Sequence, residues 1–372
     1  MRILAVTNIY PTPQVPDSGV FIEQQIKGLR QISLEVDVLF VERLQKGMGA
    51  YLNLGRQIRA RVEHFQPDVV HILYGGVMAD QVTRAVNDRP TVVTFQGSDL
   101  LGEQSSGSVR RLIAGYGVWA SWRAARRANG VVVVAKVLQD ALPEDVDRSK
   151  VRIIPGGIDL ERFKPLNQPT CRDRLGWRVD CFHILFPSHA GNSVKRYNLA
   201  RAAVGALDRL GIHAEMHELQ GMPNDQVPVW LNAGDVILLT SLHEGSPTII
   251  KEALSCNLPV VSVDVGDVRE RIQGIEGCYL ALPEPDDLAA KLRLVYGSSR
   301  RIAGRVKMQE LSLERIALRL RELYGEVLVS YRPARTGVPA PQGSSLLPTP
   351  PPVGSRTGAR SSPNYCKRSH VS

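Results

Sequence analysis

Short apolar runs alternate along the chain with stretches whose apolar residues recur at helical spacing. The runs Ile3–Thr7, Val36–Val41, Val69–Leu73, Thr91–Phe95, Val131–Ala135 and Val151–Ile154 predict six strands. Segments such as Phe21–Arg30 and Leu54–Phe65 lie between them and predict helices. A second series of strands follows at Ile184–Pro187, Ala214–Glu218, Val236–Thr240, Val260–Val263 and Tyr279–Leu282. Strands separated by helical stretches make parallel β-α-β units, so the expected class is α/β, doubly wound. Pro155-Gly156-Gly157 opens the break between the two series, and Pro165 to Thr170 reads as linker. Two Rossmann-like domains result, residues 1–160 and 161–330, joined near 157–180. Asp286–Tyr296 and Leu311–Val329 read as amphipathic helices near the end of the second series.

The segment Asp235 to Leu254, DVILLTSLHEGSPTIIKEAL, organises the rest. An apolar strand runs into a short polar loop, and a helix is expected to open with Ser246 as N-cap and Pro247 at its first position. The backbone N–H groups of Thr248, Ile249 and Ile250 then face outward at the positive end of the helix dipole, which suits phosphate. Glu244 precedes the helix and Glu252 lies inside it, both near the strand end where open α/β sheets bind ligands. A helix start that attracts phosphate, with two carboxylates, suits a phosphorylated ligand rich in hydroxyls, such as a nucleotide sugar. Two acidic residues that merely complement a helix dipole are the plainer alternative.

Composition narrows the classes. The 372 residues suffice for two full cores, and 43% hydrophobic residues is ordinary for a globular protein. Six of the net +9 charges (Arg332, Arg335, Arg356, Arg360, Lys367 and Arg368) fall after Tyr331, which leaves a balanced body and removes the charge argument for nucleic acid. That final segment, 331–372, holds eight of the 24 prolines and no acidic residue, and its composition predicts disorder. Five scattered cysteines (Cys171, Cys181, Cys256, Cys278 and Cys366) show no C-x-x-C and no metal-like pairing, which fits a reduced cytoplasmic protein. The N-terminus reads as a first strand and not as a signal peptide, and no apolar run approaches the roughly 20 residues that span a bilayer. A G-x-G-x-x-G turn is absent after the first strand, which argues against a nicotinamide enzyme.

Glu244 followed by Gly-Ser-Pro-Thr-Ile-Ile-Lys and Glu252, after a strand ending in Ser241, resembles the paired-glutamate motif of the retaining family 4 glycosyltransferases. The resemblance covers about residues 1–330. It implies a GT-B fold, two Rossmann-like domains facing each other across a cleft, with an acceptor domain first and a donor domain second. It also implies transfer of a sugar from a UDP- or GDP-sugar to a glycan or lipid-linked acceptor, with retention. By the same resemblance Lys195, with Arg196 beside it, and His189 meet the donor diphosphate, Glu244 bonds the transferred sugar and Glu252 the ribose hydroxyls. Ser188, Gly245, Ser246, Pro247, Thr248 and Ile249 complete the donor site. Gly19, in the loop after the first strand, stands where the family brings a glycine close to donor and acceptor, although any turn before a helix also favours glycine. Gln96, in Phe95-Gln-Gly-Ser-Asp99, stands where the family carries histidine, so it offers hydrogen bonds but no titrating imidazole. His189 likewise stands where arginine is usual. Pro155-Gly-Gly-Ile-Asp159 resembles the interdomain segment, and Leu313–Val329 the helix that crosses back to the first domain.

Further expectations follow. No Asp-x-Asp metal motif is evident, so no divalent cation and no cofactor is required. Ser108 to Gly130 is basic and aromatic, with Arg110, Arg111, Arg123, Arg126 and Arg127 unmatched by acids within the segment. It suits a peripheral contact with an anionic membrane, at the inner face of the cell membrane, or a domain helix with a solvated basic edge. A nucleotide-sugar epimerase of related fold, or a scaffold that binds sugar nucleotides without turnover, are the alternatives to a transferase of polysaccharide or glycolipid synthesis. The departures at Gln96 and His189 would mark the scaffold.

Overall fold

A computed structural model describes residues 1–15, 18–102, 108–221, 223–298 and 301–332, so the 331–372 tail lies almost wholly outside the described residues. The first sheet contains β1 (Arg2–Thr7), β2 (Glu35–Phe40), β3 (Val69–Ile72), β4 (Thr91–Phe95), β5 (Gly130–Val133) and β6 (Val151–Ile153). Its order is β2-β1-β3-β4-β5-β6, with every pairing parallel. The second sheet contains β7 (Phe182–Phe186), β8 (Ala214–Glu218), β9 (Val236–Leu239), β10 (Val260–Val263) and β11 (Tyr279–Ala281). Its order is β11-β10-β9-β7-β8, again parallel throughout. Both are Rossmann-like sheets, and each of the eleven expected strands is present within two residues of its expected ends.

Parallel strands covered on both faces read as continuous apolar runs, because alternate side chains enter different cores. In β1, Ile3 and Ala5 join Ile22, Ile26 and Leu29 of helix α1 (Val20–Gln31), whereas Leu4 and Val6 join Leu54, Ile58 and Val62 from the helix Leu54–Phe65. Helix α2 (Ser108–Arg127) and helix α3 (Thr248–Ser255) belong to the first and second sheets in turn.

The last helix, α4 (Leu313–Ser330), crosses back. Its buried residues Leu313, Ile316, Leu320, Leu323, Tyr324 and Val327 repeat at helical spacing and pack on α1 and the first sheet. The Tyr324 hydroxyl lies 2.6 Å from Nδ1 of His71 on β3, and His71 Nε2 lies 2.7 Å from Thr94 Oγ1 on β4. Burial lowers the His71 imidazole to about 3, so the pair is a neutral internal bond. The helix at the end of the 161–330 segment therefore lies on the first sheet, as its resemblance to the helix that crosses back implies. The chain leaves the first sheet near Ile158 and returns beside it: Ile158 N–H donates to Leu311 O and Leu313 N–H donates to Ile158 O. The expected linker Pro165–Thr170 is corrected. Asn167 accepts from the Thr170 N–H and caps a helix, Gln168–Leu175, with Pro169 in its first turn, where its missing N–H costs nothing.

Candidate active site

The loops after β4 and β9 meet between the sheets. A Cβ added to Gly245 would collide with the Gln96 carbonyl oxygen and would lie 3.3 Å from Gly97 Cα, and one added to Gly266 would collide with the Gly245 carbonyl. Only a residue without a side chain lets the two lobes touch here.

The loop after β7 is stitched to the loop after β9. Thr240 Oγ1 donates to Lys195 O at 2.7 Å, and Leu242 N–H donates to Val194 O at 2.8 Å. Arg196 takes a left-handed backbone, with φ of 51°, and spends its guanidinium on the carbonyls of Thr240 (2.5 Å) and Ser241 (3.1 Å). Expected beside the diphosphate, Arg196 instead ties the two loops together. The result is that Lys195 Nζ reaches Glu244 Oε1 at 2.5 Å, while Ser241 Oγ donates to the same oxygen at 2.7 Å. Both side chains keep limited solvent access, at 22% for Lys195 and 16% for Glu244, so the pair is oriented yet reachable. His189 Nδ1 accepts from the Gly191 N–H at 3.1 Å. In its neutral form the ring therefore carries its proton on Nε2, as a single donor. Ser188 is buried just before it.

Helix α3 starts at Thr248, later than the sequence suggests, with Pro247 at the capping position and no side-chain cap. Ser246 does not cap. Its hydroxyl donates to Asp267 Oδ2 at 2.7 Å and accepts from Lys251 Nζ at 3.1 Å. The reason is the fully buried Lys251, whose ammonium needs acceptors and finds Ser246 Oγ and, at 3.0 Å, the Gly156 carbonyl between the lobes. Asp267 is buried as well and also takes Arg271 Nε at 2.8 Å. This network drives the hydroxyl under the helix and leaves the first N–H groups of α3 without an intrahelical acceptor. Glu252 lies about one turn in. Burial pushes its carboxyl up to about 7 against the lowering influence of Arg162 and Lys251, and burial brings the Lys251 ammonium down to about 8.

On the first lobe, Asp99 was not foreseen as an anchor. Its carboxylate accepts N–H bonds from Gly75 (2.9 Å), Gln96 (3.0 Å) and Gly97 (2.8 Å), which locks the loops after β3 and β4 together. Burial raises its pKa, and those three bonds oppose the rise. Gln96 Nε2 reaches the Leu73 carbonyl at 3.4 Å. A cavity of about 330 Å³ lies alongside, lined by Asn8, Tyr51, Tyr74 and Asp99 and roofed by Ile113, Tyr116 and Gly117 of α2. Gly19 has φ of 72°, and a Cβ there would lie 2.7 Å from the Ile9 carbonyl, so backbone packing alone accounts for the glycine.

Three of the arginines of α2 find acids from outside their own segment. Arg123 and Arg127 converge with Arg84 on buried Asp80, and Arg126 pairs with Asp145 at 2.7 Å. The Arg110 side chain lies outside the described residues. Beside the exposed Arg111, Arg126 and Arg127, α2 also exposes apolar side chains: Leu112, Ile113, Tyr116 and Trp119 are 74%, 57%, 50% and 42% exposed. Among the described residues no helix is long and apolar enough to cross a membrane.

Comparison with known proteins matches residues 20–162 to Glycosyltransferase Family 4 and residues 190–297 to Glycosyl transferases group 1. The chain is 25% identical to TuaC of Bacillus subtilis strain 168, a glycosyltransferase assigned to teichuronic acid biosynthesis, over 72% of this chain and 82% of that protein. Among solved structures it is similar to sucrose-phosphate synthase from Thermosynechococcus elongatus (TM-score 0.71, 14% identity, covering 89% of this chain and 100% of the other). It is also similar to Anabaena HepE in complex with UDP (TM-score 0.65, 18% identity, covering 88% of this chain and 100% of the other). At these identities the structural likeness shows the GT-B fold.

Proposed function

The chain belongs to glycosyltransferase family 4, retaining enzymes of hexosyltransferase type that move a sugar from a nucleotide sugar, and from that premise we propose how its cleft works. The donor is a UDP-sugar, a choice supported by the UDP bound to HepE. Its diphosphate lies against the start of α3. The developing negative charge of the leaving group is met by Lys195, by His189 Nε2–H and by the N–H groups of Thr248 and Ile249. Glu252 accepts the ribose hydroxyls. Glu244, aligned by Ser241 and Lys195, accepts a hydroxyl of the transferred sugar, and Gln96 bonds the same sugar from the other lobe.

No residue acts as a covalent nucleophile. The acceptor hydroxyl attacks from the face the nucleotide leaves, within a tight ion pair, which retains the anomeric configuration. The acceptor enters through the cavity beside Tyr74 and Asp99. It is a glycan or lipid-linked saccharide of an envelope polymer, a reading supported by the likeness to TuaC. The exposed apolar side of α2 at the mouth of that cavity suits an acceptor held at the cytoplasmic face of a membrane.

One observation carries this reading: Lys195, Ser241 and Glu244 converge beside Gly245, the residue at which the lobes touch. The test is calorimetry with UDP- and GDP-sugars, on wild type and Glu252→Ala, followed by product release with candidate acceptors. One nucleotide class should bind, and the substitution should abolish most of that affinity. If no nucleotide sugar binds, the reading fails; if one binds but no acceptor gives product, a scaffold without turnover replaces it.

A further inference from the structure

Four side chains with metal-ligating atoms meet away from the cleft, on the edge of the second sheet. Cys181, just before β7, and His183 within it stand two apart, and Glu215 and His217 stand two apart on β8. Alternation along a strand puts each pair on one face, and the parallel register sets His183 directly opposite Glu215. The spacing C-x-H at one strand and E-x-H on its neighbour therefore gathers three donors into one cluster, with His217 beside two of them. Cys181, His183 and Glu215 have ligand atoms within 4.8 Å of one another. His183 Nδ1 is 2.9 Å from His217 Nε2, and Glu215 Oε2 is 3.8 Å from the first nitrogen and 3.9 Å from the second.

The surroundings are those of a ligand set. His183 Nε2–H donates to the Arg178 carbonyl at 2.7 Å, which fixes the tautomer that aims Nδ1 into the cluster, as outer-shell partners of metal-bound imidazoles do. Trp177 stacks on the His217 ring with centroids 3.7 Å apart and planes 9° apart, holding its orientation. Cys181 and His183 are buried, while Glu215 and His217 are 39% and 17% exposed, which leaves an entry path from solvent.

We propose that Cys181, His183, Glu215 and His217 bind one zinc ion in a closed tetrahedral site that staples the edge strand β8 to β7. Two imidazoles, a thiolate and a carboxylate suit zinc, and four protein ligands leave no open position, which marks a structural and not a catalytic site. Burial and the Glu215 charge raise the Cys181 thiol to about 11, and burial lowers His217 to about 4. The thiol must ionise as the metal arrives. On binding, the thiol proton leaves to solvent, and the proton on His217 Nε2 moves to Nδ1 of the same ring. One proton is released for each zinc bound.

The test is calorimetric titration of the full chain, stripped of metal, with zinc alone, beside the variants Cys181→Ser and His217→Ala. Cobalt substitution adds a spectroscopic readout, since a thiolate ligand gives a charge-transfer band that serine cannot. The wild type should bind one zinc per chain, release one proton, gain thermal stability and quench the Trp177 fluorescence. Each variant should lose about 100-fold in affinity or more, beyond what an outer-shell change produces. Cys181→Ser should abolish the cobalt band with its circular dichroism unchanged. Absence of saturable zinc binding in the wild type overturns the proposal, and so does unchanged affinity in both variants. Should Cys181→Ser misfold, His217→Ala decides alone, because that side chain lies nearer the surface.

Discussion

Donor affinity should fall in acid through Glu252. Its carboxyl titrates near about 7 because burial disfavours the charged form. Only the carboxylate accepts two ribose hydroxyls, so affinity follows the ionised fraction. At about pH 8 the site is about nine-tenths ionised, and at about pH 6 about one-tenth, which predicts a loss of about tenfold between them. The loss levels off once the neutral acid is fully formed, because hydrogen bonds to a charged acceptor contribute about 1.5–3 kcal/mol, or about 10- to 150-fold. Stability moves the other way. A carboxyl raised from 4.5 to about 7 contributes stability below its unfolded pKa that is lost as pH rises through its folded pKa. Acid therefore weakens binding while Glu252 itself favours the fold, and unfolding is not the cause of the loss. The assay is calorimetry with an intact UDP-sugar, whose diphosphate is esterified at both ends and does not titrate in this window. Glu252→Gln should bind weakly at every pH with a flat profile. The same titration in a His189→Gln background leaves Glu252 as the group under test. A wild-type profile that is flat between about pH 6 and 8, or a Glu252→Gln profile that keeps the slope, would refute the reasoning.

Three other perturbations separate the parts of the site. Lys195→Ala should lower kcat by about 100- to 1,000-fold, since it removes a charge aimed at the leaving group, and steady-state kinetics with saturating donor will show it. Gly245→Ala should raise KM and lower kcat together while leaving the melting temperature nearly unchanged, because its methyl group meets the Gln96 carbonyl only when the lobes touch. A large loss of melting temperature without a kinetic change would contradict that. Tyr324→Phe should destabilise the first lobe by about 1–3 kcal/mol in denaturant unfolding, because it leaves His71 Nδ1 buried and unpaired.

Much of this was legible in the chain. Apolar runs bounded by Gly and Pro located all the strands, since a strand buried on both faces needs no tertiary knowledge to be seen. The Glu244–Glu252 motif pointed to the same loop that the structure brings against Gln96 and Gly97. Local rules failed where a distant partner outcompeted them. Ser246 looked like an N-cap, yet Lys251 and Asp267 claim its hydroxyl. The bonds from the Arg196 guanidinium to the Thr240 and Ser241 carbonyls were likewise invisible in the sequence. Arg123, Arg126 and Arg127 lacked acidic partners only within their own segment. Cys181 and His217 gave no metal-like pattern because the two halves of their cluster come from different strands, with His183 and His217 34 residues apart.

The returning helix α4 also fixes the order in which the molecule is completed during synthesis. His71 and Tyr324 are 253 residues apart, and ribosomes add about 5–20 residues per second, so His71 waits about 10–50 s for its partner to be made. Through that interval the first sheet is formed but unroofed, with Ile3, Val69 and Val132 lacking the cover that Leu320, Leu323 and Tyr324 bring. The lobe that emerges first is finished last. A premature stop anywhere before α4 therefore damages the beginning of the protein as surely as its end, because it leaves uncovered a sheet whose lid has not been translated.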